Sequence, residues 1–181
     1  RGLSDQFIAN KTKINTLLEH PVCDAFFYFF KNFPRPFYEE HIHLTGSLTP
    51  EFIWENFAPL IGGKNSNIYQ QKIQDIYQDK NISINGPKDI KNLIQLHEGG
   101  DFSEYLKILF IPKLILKDRE IHEKAAYHMA KELFENYNVG NIRLKFTLSR
   151  STGIESEKIP GLENVTEEDV ILGLFNGFLQ Y

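Results

Sequence analysis

The chain of 181 residues contains 41% hydrophobic, 13% aromatic and 24% charged residues, a composition that excludes disordered, collagen-like and coiled-coil classes. Its 24 acidic and 20 basic residues give a formal net charge of −4 without a basic block, so no nucleic-acid partner is expected. Apolar runs fall far short of the ~20 residues that cross a bilayer, so no membrane partner is expected. A single cysteine, Cys23, cannot form an internal disulfide and predicts a cytoplasmic protein.

No internal repeat or linker divides the sequence, so residues 1–181 are predicted to form a single domain or part of one. The chain begins at Arg1 rather than Met and stops at Tyr181 within an amphipathic pattern. We therefore expect it to be a piece of a longer polypeptide.

The first third of the chain is predicted to contain a helix and then a strand. The segment up to Lys31 is crowded with leucine and phenylalanine, so we expect a helix that packs on the body of the protein. Pro34 and Pro36 break that helix, and residues 37–44 are predicted to form the first strand, before the turn at 45–47.

Most of the region from Thr49 to Asn136 reads as helix. Predicted helices begin at Pro50 after Thr49, cover 68–79 and 88–97, and start after the capping residues Asp101 and Asp118. Residues 141–148 alternate apolar and polar side chains and predict a second strand, and Thr166 with Asp169 predicts a capped last helix over 167–180. This order of elements is typical of the start of an α/β protein.

The segment that indicates chemistry is His41-Ile42-His43 at the end of the first predicted strand. Residues i and i+2 of a strand share a face, so the two imidazoles project the same way from Cα atoms about 6.5 to 7 Å apart. Rings placed in this way can converge on one ion at about 2.0 to 2.1 Å from each nitrogen. The alternative is that both histidines are only polar residues of a half-buried strand.

The flanking residues add a family resemblance. The segment 41–51 resembles the signature of the adenosine deaminase family of metal-dependent amidohydrolases, through His41, Ile42, His43, Leu44, Gly46 and Ser47 and the helix start Thr49-Pro50-Glu51. Weaker similarities follow in the family's order, at 99–102, 121–149 and 165–170. The resemblance implies an α/β fold, the helix-rich amino-terminal portion of a (β/α)8 TIM barrel whose other strands lie in a missing carboxy-terminal half.

The same resemblance implies a zinc-dependent hydrolase that deaminates a purine nucleoside or related purine and releases ammonia. His41 and His43 would bind the single zinc ion, and the catalytic residues and remaining ligands would lie beyond Tyr181. Thr45, Phe102 and Leu106 would contact the purine substrate.

Two departures from the family pattern bear on the substrate. Thr45 stands where adenosine-specific relatives usually have Asp, and Lys145 and Thr147 stand where the family commonly has Glu and Arg. These differences point away from adenosine itself.

Two other functions remain open on the sequence: an amidohydrolase of a non-purine substrate, and a catalytically inactive relative that acts as a binding module. A second metal motif is not supported. His122 and His128 are six residues apart, which places them on different faces of a helix, and we expect both at the surface.

Overall fold

The computed structural model describes residues 19–97, 100–146 and 165–181. The chain divides into two compact units. The amino-terminal unit comprises Arg1–Tyr38 and Glu132–Asn141, and the main unit comprises Glu39–Lys131 and Ile142–Tyr181.

Helices dominate the part of the chain that the structure describes. The elements in chain order are α1 (Pro21–Lys31), β1 (Phe37–His43), a 3-10 turn (Leu44–Gly46), α2 (Pro50–Ile61), α3 (Ser66–Tyr77), α4 (Pro87–Leu93), α5 (Phe102–Ile108), α6 (Phe110–Ile115), α7 (Arg119–Tyr137), β2 (Val139–Lys145) and α8 (Glu167–Gln180). β1 and β2 pair in a two-stranded parallel sheet. Within the described ranges, no helix combines the length and the apolar character that a membrane crossing requires.

Several helices begin with a side-chain cap at the residue that the sequence predicted. The Thr49 hydroxyl accepts a hydrogen bond from the backbone N–H of Phe52 at 3.3 Å, with Pro50 in the first turn of α2. At the start of α8, the Thr166 hydroxyl and the Asp169 carboxylate accept from each other's backbone N–H groups and form a capping box. These predicted helix starts are confirmed.

The helix predicted after Asp101 is two helices, α5 and α6, which meet at Leu109. Pro112 lies in the first turn of α6, where a missing N–H costs no helical hydrogen bond. All but one residue of α6 is buried, and the exception is Lys113.

The core of the main unit forms where α2 packs against α3, α4 and α6. Its fully buried side chains include Ile53, Phe57, Ile90, Phe110 and Leu114. The long helical region therefore packs on itself.

A second, tighter contact joins α7 and α8. A Cβ atom added at Gly173 would lie 2.6 Å from the carbonyl oxygen of Arg119 and 2.7 Å from the Cβ of His122. An added Cβ at Gly177 would clash with the carbonyl oxygen of Glu123. The two glycines let the helix backbones approach closely, because a larger residue would hold them apart.

The prediction of a partial (β/α)8 TIM barrel is wrong. A barrel strand is covered on both faces, whereas neither β1 nor β2 contains a buried residue. The described part of the chain is rich in helices and holds a two-stranded parallel sheet. Alternating side chains identify a strand, but they do not fix how many strands lie beside it.

The second strand is displaced from its predicted position. It covers Val139–Lys145 rather than 141–148, because Asn138 ends α7 with a left-handed φ of 56° and the strand follows at once. Ile142 and Leu144 keep the expected alternation and are half-buried. The last two residues of the predicted strand, and the opening segment before residue 19, lie outside the described residues.

Candidate functional site

The two histidines of the motif converge at the end of β1. The Nε2 atoms of His41 and His43 are 3.0 Å apart, the ring centroids are 5.0 Å apart and the ring planes meet at 41°. An ion about 2.05 Å from both nitrogens would be bound at an N–metal–N angle of roughly 94°. The pair therefore fits two neighbouring coordination positions of a transition metal ion.

The same distance fits a hydrogen bond between the rings, in which one Nε2–H donates to the other Nε2. Metal binding would replace that hydrogen bond. Glu39 shares the strand face with both histidines, but its Oε1 accepts from the backbone N–H of His41 at 3.0 Å. Within the described ranges, no three His, Cys, Asp or Glu side chains group as a metal site.

A short turn fixes the end of β1 and holds His43 in place. The Ser47 hydroxyl donates to the carbonyl oxygen of His43 at 2.7 Å, and the Ser47 N–H donates to Leu44 at 3.2 Å. Leu44 and Leu48 are buried on either side of the turn. The motif therefore has a rigid base, although both imidazoles are exposed.

The histidines line one side of a cleft of about 270 Å³. The rest of the lining includes the polar side chains of Thr45, Ser47 and Tyr105. Its apolar side chains include Ile94, Ile108 and Leu109. No Lys, Arg, Asp or Glu is among the residues that line it in the described part of the chain. This lining suits an uncharged ligand with a flat apolar surface and a few polar atoms.

A half-buried tyrosine supports the far wall of the cleft. The Tyr77 hydroxyl lies 3.3 Å from the carbonyl oxygen of Leu93 and 3.2 Å from that of Lys107, so it bridges the ends of α4 and α5. Burial raises the pKa of Tyr77, which keeps the hydroxyl protonated and able to donate.

The structure brings Thr45 to the cleft with the two histidines, but it does not bring Phe102 or Leu106 there. Those two side chains are 73% and 51% exposed. Tyr105 lines the cleft from α5 in their place. The sequence offered a signal for this wall, because Tyr105, Ile108 and Leu109 follow helical spacing, but it did not distinguish that face from its neighbour.

The two histidines of α7, His122 and His128, pack against other residues of the protein. His122 is only 4% exposed, so its predicted surface location is wrong. Its Nδ1 lies 2.8 Å from the carbonyl oxygen of Asp118, and burial lowers its pKa. His128 is half-buried, stacks on Phe52 with centroids 4.6 Å apart, and places Nε2 3.1 Å from the Thr49 hydroxyl.

Comparison with known proteins gives no family for this chain: no family model, curated protein or solved structure matches it. The similarity to adenosine deaminases therefore depends on the motif residues alone. Function has to be argued from the cleft and its two histidines.

Proposed function

We propose that the chain supplies the metal-binding part of a zinc-dependent hydrolase that deaminates a purine nucleoside or a related purine. The supporting observation is the His41–His43 pair, whose Nε2 atoms are 3.0 Å apart. The cleft beside it is lined by no Lys, Arg, Asp or Glu within the described ranges. Neutral imidazole nitrogens are preferred ligands of zinc.

The residues of the cleft have separate tasks in this proposal. When bound, zinc supplies a Lewis acid that activates water for attack on a C–N bond. Ile94, Ile108 and Tyr105 form a wall against which a flat ring can lie, and Thr45 offers a hydroxyl to its polar edge. Among the described residues, the lining holds no lysine or arginine, which favours a substrate without phosphate.

The proposal requires groups that the described residues do not bring to the cleft. Catalytic zinc usually has three protein ligands and a water molecule, and His41 and His43 are two of them. We infer that the third ligand and the proton-transfer residues come from outside the described ranges. The single cysteine supports a reducing compartment, and we propose the cytoplasm.

The first test is zinc affinity of the full chain, measured by titration calorimetry, with the bound metal counted by mass spectrometry. We expect one Zn²⁺ per chain, and His41→Ala or His43→Ala should weaken binding by ~10-fold or more. His97→Ala is the matched control, because His97 is also exposed but does not line the cleft. Equal affinity in all four proteins would contradict the metal site.

The second test is binding of a panel of purine bases, nucleosides and nucleotides to the zinc-loaded chain, because the proton-transfer residues are not among the described ones. Binding of an unphosphorylated purine, weakened in His41→Ala and retained in His97→Ala, is the expected result. Zinc binding without binding of any purine would contradict a purine substrate and favour the alternative of a non-purine amidohydrolase.

A further inference from the structure

The far wall of the cleft is built by two helices that pack against different neighbours. Ile94 is the C-cap of α4, which packs mainly against α2. Ile108 is the last residue of α5, which packs mainly against α6. The two side chains reach the same cleft from separate packing contacts, so a direct link between α4 and α5 would fix how they line up.

Tyr77 makes such a link with its hydroxyl group. The hydroxyl oxygen lies 3.3 Å from the carbonyl oxygen of Leu93 and 3.2 Å from that of Lys107, the residues immediately before Ile94 and Ile108. The two carbonyl oxygens therefore cannot be farther apart than the sum of those distances. Both belong to the last turns of their helices, where carbonyl oxygens lack the usual helical partner. One hydroxyl group thus positions the backbone next to both isoleucines of the wall.

The end of α3 holds Tyr77 in a defined position. Tyr77 is the last residue of α3, and Gln78 ends the helix with a left-handed φ of 54°. The Gln78 N–H donates to the carbonyl oxygen of Gln74, and the Gln74 side chain donates to the carbonyl oxygen of Lys80 at 2.9 Å. The backbone that carries Tyr77 is therefore hydrogen-bonded on both sides of the helix end.

We propose that Tyr77 determines the ligand specificity of the cleft, because its hydroxyl group aligns Ile94 and Ile108 into one wall for a flat ligand of two fused rings. Tyr77 does not line the cleft and acts through two residues that do, so it is a positioning residue. A two-ring ligand lies across both isoleucines, whereas a single ring can lie on one of them. Misalignment of the wall should therefore weaken binding of the larger ligand selectively. The inference takes the cleft from the proposed function, but it requires neither the zinc ion nor a purine.

The test compares indazole, a flat uncharged molecule of two fused rings, with pyrazole, its five-membered ring alone. Each compound is titrated into the metal-free full chain. Binding is followed by NMR through the isotope-labelled δ1-methyl signals of Ile94 and Ile108, which are assigned with Ile94→Val and Ile108→Val. We expect indazole to shift both signals in the parent chain.

The variant Tyr77→Phe keeps the aromatic ring and removes the hydroxyl group. Its dissociation constant for indazole should rise by ~5-fold or more, within the range expected for one lost hydrogen bond, while that for pyrazole should change by less than ~2-fold. A general loss of stability would affect both ligands alike, so the ratio of the two constants separates alignment of the wall from a merely structural role.

Tyr69→Phe is the matched control. Tyr69 is fully buried on the same helix, and its ring meets Phe57 of α2 edge-on with centroids 6.5 Å apart. The substitution removes a hydroxyl group from α3 at a residue that does not line the cleft, and it should leave both dissociation constants unchanged. Circular dichroism checks that each variant keeps its helices.

Three results would overturn the proposal: an unchanged indazole constant in Tyr77→Phe, equal weakening of both ligands, or an indazole titration that leaves both methyl signals of the parent in place. If Tyr77→Phe does not fold, the hydroxyl proton of Tyr77 in the parent gives a second measurement. We expect it to exchange slowly with water, and a proton that exchanges too fast to be observed would overturn the proposal. A chain that binds these probes but neither zinc nor a purine would contradict the proposed function alone.

Discussion

Helices α1 and α8 are both rich in apolar residues, yet of these two described helices only α8 contains buried residues. α8 buries Val170, Gly173, Leu174 and Gly177, whereas α1 buries no residue. The difference lies in shape, because the glycines of α8 allow its backbone to approach α7, while the bulky rings of α1 surround the helix on most sides. Apolar content alone therefore does not decide burial, and a helix also needs a surface that fits its own.

The largest expected effect on the free energy of unfolding comes from removing an aromatic ring in the core, and a ring on α1 gives the comparison. Phe57→Ala empties a fully buried position and should lower the free energy of unfolding by about 3–5 kcal/mol. Phe26→Ala should change it by less than ~0.5 kcal/mol, because the ring is already mostly exposed. Urea unfolding measures both values, and similar losses would contradict the difference in burial.

The second-largest expected loss of stability concerns Gly173 and Gly177, the glycines at which α8 packs against α7. Gly177→Ala places a methyl group against the Glu123 carbonyl oxygen and the Ala126 side chain, and should cost about 1–3 kcal/mol although alanine favours a helix. Gly86→Ala is the control, since Gly86 has an extended φ of −178° and no atom within 4 Å of an added Cβ. A Gly177→Ala protein as stable as the parent would show that α7 and α8 are not in close contact.

A smaller loss of stability is expected on removing the N-terminal caps of α8 and α1. Thr166→Ala removes the capping box of α8 and should cost about 1 kcal/mol. At α1 the capping acceptor is the Nδ1 of His20, 3.2 Å from the N–H of Val22, and His20→Ala should cost less because no packed helix depends on it. Thermal unfolding of the two variants gives the comparison, and a larger loss at His20 would reverse our interpretation.

The smallest expected effect is a pH dependence of the free energy of unfolding, which arises from His122 where α7 contacts α8. Burial is the main influence on His122 and lowers its pKa, while the Asp118 carbonyl oxygen and the charges of Asp118 and Asp169 oppose that shift. The folded state therefore binds protons less readily than the unfolded state, whose histidine pKa is about 6.5. The contribution of neutral His122 to the free energy of unfolding should be fully present above about pH 6.5. It should be lost as the pH falls through the pKa that His122 has in the folded state.

The variant His122→Phe isolates this contribution, because phenylalanine cannot be protonated. The difference in unfolding free energy between parent and variant should change in the variant's favour as the pH falls below about 6.5. A parent–variant difference that is constant with pH would contradict the assignment to His122.

The sequence predicted those features that depend on neighbouring residues. Thr49, Asp101 and Thr166 were identified as caps because a short polar side chain two or three residues before a free N–H is a local signal, and each cap is present. The first strand was predicted to within one residue because alternation and Pro36 define it locally. The motif histidines share a face for the same reason.

Features that depend on distant residues were not predictable in this way. The burial of His122 requires Gly173, about fifty residues later, and nothing near His122 signals it. The choice of Tyr105 over Phe102 as the cleft wall depends on how α5 rotates against the turn that follows β1. The barrel prediction failed for the same reason, since the neighbours of a strand are not encoded in its alternation.

Zinc-edge X-ray absorption of the zinc-loaded full chain shows whether His41 and His43 bind one zinc ion together. We expect two imidazole nitrogens at about 2.0–2.1 Å from the metal, reduced to one in His41→Ala or in His43→Ala. A zinc shell without imidazole, or a spectrum that both substitutions leave unchanged, would contradict the claim.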